Sequence, residues 1–300
     1  MAAHAIATNV VVVTGASSGF GRGAALELAR RGASLVLAAR RSAVLEDVAR
    51  ACRSAGARAV AVPTDVSRQE AVEALGRKAV AEFQRIDVWI NNAGVGALGR
   101  FERVPVADHV QVIATDLLGT LYGSYVAYRQ FVAQGSGILI NVGSELGRHT
   151  VPYYTSYAAA KHGVVGLSDA LRQEIDDNGV KDVHVCLVMP TAHDTPFFDH
   201  VANYTGHEVR APKPLHDPQN VVETLVRLVE NPKDREIVGA DGVVKILMKS
   251  LAPRLQEKMA AKQIHRTQIE QSPPAADSPG AVRAPIPQGI AVRGGRREAA

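Results

Sequence analysis

Between residues 9 and 190 the chain switches its hydrophobic period back and forth, and this alternation limits its fold more than any other feature. Six short runs are almost unbroken in apolar, often β-branched residues: NVVVVTG (9–15), ASLVLAA (33–39), ARAVAVPTDV (57–66), IDVWINNAG (86–94), GILINVGS (137–144) and VHVCLVMP (183–190). Continuous runs of this kind read as strands covered on both faces. Between them lie amphipathic stretches such as GRGAALELARRG, AVLEDVARACRSAG and EAVEALGRKAVAEFQ, each the length of a crossover helix. Strand and helix repeated at least five times specify an α/β fold: a Rossmann-like, doubly wound parallel sheet with helices on both faces. The strands are too few for a closed eightfold barrel.

Hydrophobic residues make up 46% and charged residues 21% of the 300 positions, the balance of a globular protein with a real core. Cys52 and Cys186 have neither metal-ligand nor disulfide-framework spacing, which points to a reduced, cytoplasmic protein. MAAHAIATN lacks the pattern of a signal peptide, and no apolar run reaches the length of a membrane span. The expected organisation is a dinucleotide-binding catalytic domain over 1–243, a basic helical extension over 244–270, and a Pro-, Gly- and Arg-rich tail over 271–300 that reads as disordered. Much of the +4 net charge lies in those last two segments, and a solvated tail explains it without a nucleic-acid partner.

The first strand runs into TGASSGFGRGAALELARRG. Gly15, Gly19 and Gly21 sit there between a buried strand and an amphipathic helix. Glycines allow a sharp turn and close approach of backbone to a pyrophosphate, and the helix N-terminus offers free N–H groups and a positive dipole end. Ser17, Ser18 and Phe20 belong to the same cradle. At the end of the second strand an acid would bind a ribose 2′-hydroxyl; here Ala39 is followed by Arg40 and Arg41. Arginine suits a 2′-phosphate, so NADP(H) is expected in preference to NAD(H).

In sequence order the chain also carries TDV (64–66), NNAG (91–94), VGS (142–144), YAAAK (157–161) and PTAHDT (190–195). With the glycine turn, these motifs resemble the short-chain dehydrogenase/reductase superfamily over roughly residues 8 to 242. The resemblance implies that Asp65 and Val66 border the adenine and that Asn92, Ala93 and Gly94 support the sheet beside the cofactor. It further implies that Pro190, Thr191 and Thr195 contact the nicotinamide side, and that Ser144, Tyr157 and Lys161 form the chemical centre. Ser144 precedes Tyr157 by the family's usual thirteen residues. The same resemblance suggests a homodimer or homotetramer built through the helices that carry Asp116 and Tyr157.

The chemistry explains the spacing. Tyr157 and Lys161, four apart on a helix, share a face. A free phenol, with a pKa near 10, is poorly matched to proton exchange with an alcohol at neutral pH. A cation about 4 Å away at an effective dielectric of about 20 supplies the roughly 4 kcal/mol that a shift of about three units requires. Lys161 is expected to be that cation, and Ser144 to hold the substrate oxygen. One departure stands out: Asp116, in VIATDLLGTLYGSY, occupies the place where the family usually carries an asparagine. Its charge could pair with Lys161 and weaken the pull on Tyr157. Two functions follow: an NADP(H)-dependent oxidoreductase of carbonyl/alcohol pairs, or a nucleotide-binding sensor or scaffold with little turnover. A hydrolase is set aside because Ser144 has no partnered histidine at a triad-like spacing.

Residues 190–218 are too long for a plain connection and read as a substrate loop or lid. His193, Phe197, Phe198, His200, Tyr204 and His207, with Tyr153 and Tyr154 before the tyrosine, are expected to line an apolar pocket for a ring-bearing or long-chain substrate. The histidines lack metal-site spacing, so no metal is expected. The 244–270 segment is amphipathic enough for a membrane surface; packing over the substrate cleft or against a partner subunit is the simpler expectation.

Overall fold

In the first strand, β1 (Val10–Thr14), Val11 and Val13 face one hydrophobic cluster and Val10 and Val12 the other. That is the two-residue period of a strand buried on both sides. A computed structural model, describing residues 6–297, shows the sheet this implies. Its seven strands run in the order β3-β2-β1-β4-β6-β7-β9, and every pairing is parallel. The other six are β2 (Ser34–Ala39), β3 (Ala59–Pro63), β4 (Val88–Asn91), β6 (Gly137–Val142), β7 (Val183–Pro190) and β9 (Arg235–Val238). A separate pair, β5 (Ala97–Gly99) with β8 (Ala202–Tyr204), stands beyond the sheet's carboxyl edge.

Helices α1 (Gly19–Arg30), α2 (Ser42–Ser54) and α8 (Gln219–Glu230) cover one face through Leu28, Leu45, Val48 and Leu225. On the other face α3 (Gln69–Phe83), α5 (Gly119–Gln134) and α6 (Thr155–Asn178) bring Leu75, Phe131 and Ile175 against Trp89 and Leu139. Each such side chain, fully withdrawn from water, contributes about 1.5–3 kcal/mol. The chain order reverses between β1 and β4, and ligands of open α/β sheets lie in the crevice at that point.

Within the loop after β7 are a short helix, α7 (Phe197–His200), and β8. The basic segment forms two helices, α9 (Ala240–Leu251) and α10 (Pro253–His265). Pro253 sits at the first position of α10, because a proline cannot continue the preceding helix but fits the opening turn of the next. The tail, expected to be disordered, is laid against the body over residues 271–297. Val282 is fully buried among Val95, Ala97 and Val112, and Arg283 pairs with the buried Asp108. The expectation counted proline and glycine but not the partners that the folded body offers.

Candidate active site

The glycine turn is closed by backbone contacts that only glycine permits. Gly15 has φ +67, and a Cβ there would stand 2.8 Å from the Ala93 Cα; one on Gly21 would stand 2.5 Å from the Gly15 oxygen and the Asn92 amide nitrogen. Asn92 ties the end of β4 to this turn, donating to the Thr14 carbonyl at 2.9 Å and the Gly15 carbonyl at 3.3 Å. Asn92 N–H and Ala93 N–H both donate to Thr14 Oγ1. Asp65 takes the N–H and hydroxyl of Ser67 on one carboxylate oxygen, which fixes the turn after β3.

A cleft of about 380 Å³ opens along this edge. Gly15, Ser17, Ser18, Gly19 and Phe20 line it at one end, with Arg40, Arg41, Asp65 and Val66. Its middle is formed by Asn92, Ala93 and Gly94, and its far end by Ser144, Tyr157, Lys161, Pro190, Thr191 and Thr195. Apart from Gly21 and Asp116, which lie behind its wall, the catalytic and cofactor-contact residues gathered from the sequence share one cavity. A nicotinamide dinucleotide fits this donor set: a glycine cradle that any side chain would fill, a helix N-terminus, and the Arg41 guanidinium beside Ser17 and Ser18. Arg41 Nη2 stands 3.0 Å from Ser17 Oγ and 2.9 Å from Ser18 Oγ.

Tyr157 and Lys161 do share a face of α6, with the ammonium 5.5 Å from the centre of the phenol ring. Lys161 Nζ also donates to the Val142 carbonyl at 3.1 Å and stands 3.2 Å from Asp116 Oδ2. Asp116 is fully buried, and its other oxygen accepts from Val95 N–H at 2.8 Å. It lies in a π-helical segment, Ala114–Leu118, between α4 (Val106–Ile113) and α5. This local widening turns the carboxylate towards Gly94 and the lysine.

The electrostatics correct one expectation. Although Tyr157 reaches the cleft, desolvation is the largest influence on its phenol and raises its pKa above the ordinary value. Lys161 and a hydrogen bond with Ser144 draw it down, but Asp116 pushes it up again. The lysine does pull as expected; the protein around the phenol and the paired carboxylate outweigh it. For Lys161, burial opposes the charge, yet Asp116 and Tyr157 together more than offset that and raise the ammonium's pKa. Burial in turn raises Asp116 against the pull of Lys161.

On the substrate side, Phe197 stacks 5.5 Å from Tyr157, and Tyr154 lies 6.3 Å from it. Phe198, His193 and His200 also line the cleft. Tyr204 and His207 do not. Tyr204 donates to Asp108 from β8, and His207 Nδ1 meets the Ser272 carbonyl at 2.9 Å. Tyr153 likewise turns away to His265, at 2.7 Å. Further wall comes from α9 and α10, through Met248, Gln256, Met259 and Ile264, and from the tail, through Ala281, Pro285 and Ile286. Helices α9 and α10 of the basic segment thus help to line the cleft.

Two groups went unnoticed in the sequence. Asn91 binds Trp89 Nε1 at 2.7 Å and Asn141 Oδ1 at 2.9 Å in a buried network beneath the site. Glu145 holds Lys245 of α9 at 3.0 Å beside Ser144. Neither stands in a recognisable local pattern; Asn91 only shares the NNAG motif. Among the described residues, no group of histidines, cysteines and acids could hold a metal, and no helix is long and apolar enough to cross a membrane.

This fold and this arrangement of residues define a class. A short chain dehydrogenase family profile matches residues 9–204, and the chain belongs to that family, whose members are nicotinamide-dependent oxidoreductases. The cis-4-hydroxycyclohexanecarboxylate dehydrogenase of Sinomonas cyclohexanicum is 36% identical over 241 residues, covering 79% of this chain and 95% of that one. An uncharacterized oxidoreductase of Bacillus subtilis, YxnA, is 31% identical over 88% of this chain and 74% of its own length. Among solved structures, a Burkholderia phymatum short-chain dehydrogenase/reductase in complex with NAD superposes with a TM-score of 0.75 at 25% identity, over 85% of this chain and 97% of that one. An alcohol dehydrogenase of Thermococcus sibiricus complexed with 5-hydroxy-NADP gives 0.67 at 26% identity, over 76% and 95%.

Proposed function

We propose that the protein is an NADP(H)-dependent dehydrogenase/reductase that interconverts an apolar, ring-bearing alcohol and its ketone, with Tyr157 as the acid–base group. The observation that carries this reading is the single cleft that joins the glycine cradle to Ser144, Tyr157 and Lys161. The cofactor, when bound, accepts or supplies hydride. Gly15, Gly19, Phe20 and Gly21 would hold its pyrophosphate, Arg40 and Arg41 a 2′-phosphate, Asp65 and Val66 the adenine, and Pro190, Thr191 and Thr195 the nicotinamide side.

Ser144 Oγ holds the substrate oxygen near the phenol. Tyr157 Oη takes the hydroxyl proton in the oxidative direction and returns it in the reductive one. Lys161 stabilises the phenolate. Phe197, Tyr154 and the methionines of α9 and α10 exclude water and favour a ring, in keeping with the cyclic substrate named for the Sinomonas relative. Exposed Leu118, Leu121, Tyr125 and Val132 follow helical spacing along one side of the π segment and α5, which supports a homodimer or homotetramer built there.

The ion pair between Asp116 and Lys161 favours a second reading, a nucleotide-binding sensor or scaffold with slow turnover. Spectrophotometry of NADP⁺ reduction across cyclic and open-chain secondary alcohols, and of NADPH oxidation across their ketones, separates the two. Turnover with at least one alicyclic substrate supports the enzyme. Tight NADPH binding with no turnover across the panel supports the sensor.

A further inference from the structure

The tail following Arg283 runs across the adenosine end of the same cleft and takes hold of the donors just assigned to phosphate. Gly19 N–H, at the amino end of α1, donates to the Ala291 carbonyl at 2.9 Å. Arg41 Nη1 donates to the Gln288 carbonyl at 2.9 Å, and Arg22 to the Ile290 carbonyl at 3.1 Å. Arg40 is tied to the Val282 carbonyl at 3.0 Å. The segment APIPQGIAVRGG has no regular ladder of its own, because its prolines and glycines disfavour one, and its main-chain oxygens are left to face the guanidinium groups.

The far end is fastened as well. The Arg296 and Arg297 N–H groups each donate to the Asp194 carboxylate at 3.0 Å, while Arg293 and Arg297 pair with Asp217 at 3.1 and 3.0 Å. Gly289, at φ +65, lies so close to the body that a Cβ there would stand 2.5 Å from His200 Nε2 and 2.9 Å from Pro196 Cβ.

We propose that residues 285–297 form an autoinhibitory strap that occupies the phosphate-binding donors Gly19 N–H and Arg41, so that a dinucleotide binds only as the strap lifts. The proposal rests on the nucleotide site described above. A phosphate turns the neutral Gly19 N–H bond to Ala291 into a charge-assisted one, about twice as strong, and adds charge pairing to Arg41, so the nucleotide can displace the strap. Residues 278–283 stay behind as its hinge, anchored by Val282 and by the Asn203–Ser278 pairing. A protein whose binding-competent state is only partly populated shows a dissociation constant raised by the inverse of that fraction.

Two full-length variants test this. Gly289→Val unseats the strap sterically, and Arg293→Glu with Arg297→Glu repels it from Asp217. Calorimetric titration with NADPH should give at least ten-fold tighter binding in both. In the unmodified protein, NADPH should speed tryptic cleavage after Arg293, read by intact mass. Equal or weaker NADPH binding in the variants, or protection of Arg293 by NADPH, overturns the strap while leaving the nucleotide site intact. Failure of every form to bind NADPH or NADH overturns the nucleotide site itself, and the strap with it.

Discussion

Replacing Asp116 by asparagine removes the stronger of the two buried carboxylates, Asp116 and Glu145, that work against Tyr157. Lys161 Nζ lies 3.2 Å from Asp116 Oδ2 and 5.5 Å from the centre of the Tyr157 ring, so the carboxylate is within about 9 Å of that ring. At that separation and an effective dielectric of about 20, a carboxylate and a phenolate repel by about 2 kcal/mol, or about 1.4 pKa units. Asparagine keeps the acceptor for Val95 N–H and drops the charge. The sign follows from the proton. Alcohol oxidation needs the phenolate, so its rate rises with pH through the Tyr157 titration, and removing a nearby anion moves that rise to lower pH. The assay is kcat against pH for oxidation of a hydroxycyclohexane substrate with saturating NADP⁺. Asp116→Asn should shift the limb down by about one unit or more and raise kcat near neutrality. An unmoved limb, or one shifted upward because Lys161 has lost its charge without its partner, refutes the reasoning.

Three other outcomes follow from contacts already described. Arg41→Ala should lower the NADPH-over-NADH preference by roughly ten- to a hundred-fold, since charged hydrogen bonds contribute about 1.5–3 kcal/mol; freeing the strap acts equally on both nucleotides, so the ratio of the two dissociation constants isolates the effect. Gly123→Ala would place a Cβ 2.1 Å from Asn91 Oδ1, and overpacking of this kind should cost about 1–3 kcal/mol in urea unfolding with the fold retained. Gln256 is buried in the wall of the cleft with its amide oxygen unpartnered, so Gln256→Leu should lower the KM for unsubstituted cyclic ketones by roughly five-fold, about 1 kcal/mol of relieved desolvation.

The sheet was legible because its evidence is periodic. Valines 10 to 13 announce a strand covered on both faces whatever surrounds them. The cradle was legible for a related reason: Gly15 and Gly21 stand where a Cβ would strike backbone, and sequence registers that as glycine at fixed spacing. Contacts between distant segments left no such trace. Tyr204 and His207 look like pocket residues beside Phe197, yet β8 pairs with β5 and carries them to Asp108 and Ser272. The net shift of Tyr157 depends on how burial, Lys161 and Asp116 balance, and spacing gives only the pull of the lysine. The tail hides its order most completely. Its composition cannot build secondary structure, and what orders it is a set of arginines and aspartates more than sixty residues away in sequence.

The most direct measurement is the fate of the reaction when the phenol oxygen alone is deleted. In Tyr157→Phe the ring and its contact with Phe197 remain, while the proton donor is gone. The kcat for NADP⁺-dependent oxidation of an alicyclic alcohol should fall about a hundred-fold or more, with the NADPH dissociation constant unchanged. Oxidation at the rate of the unmodified protein would contradict the acid–base role of Tyr157.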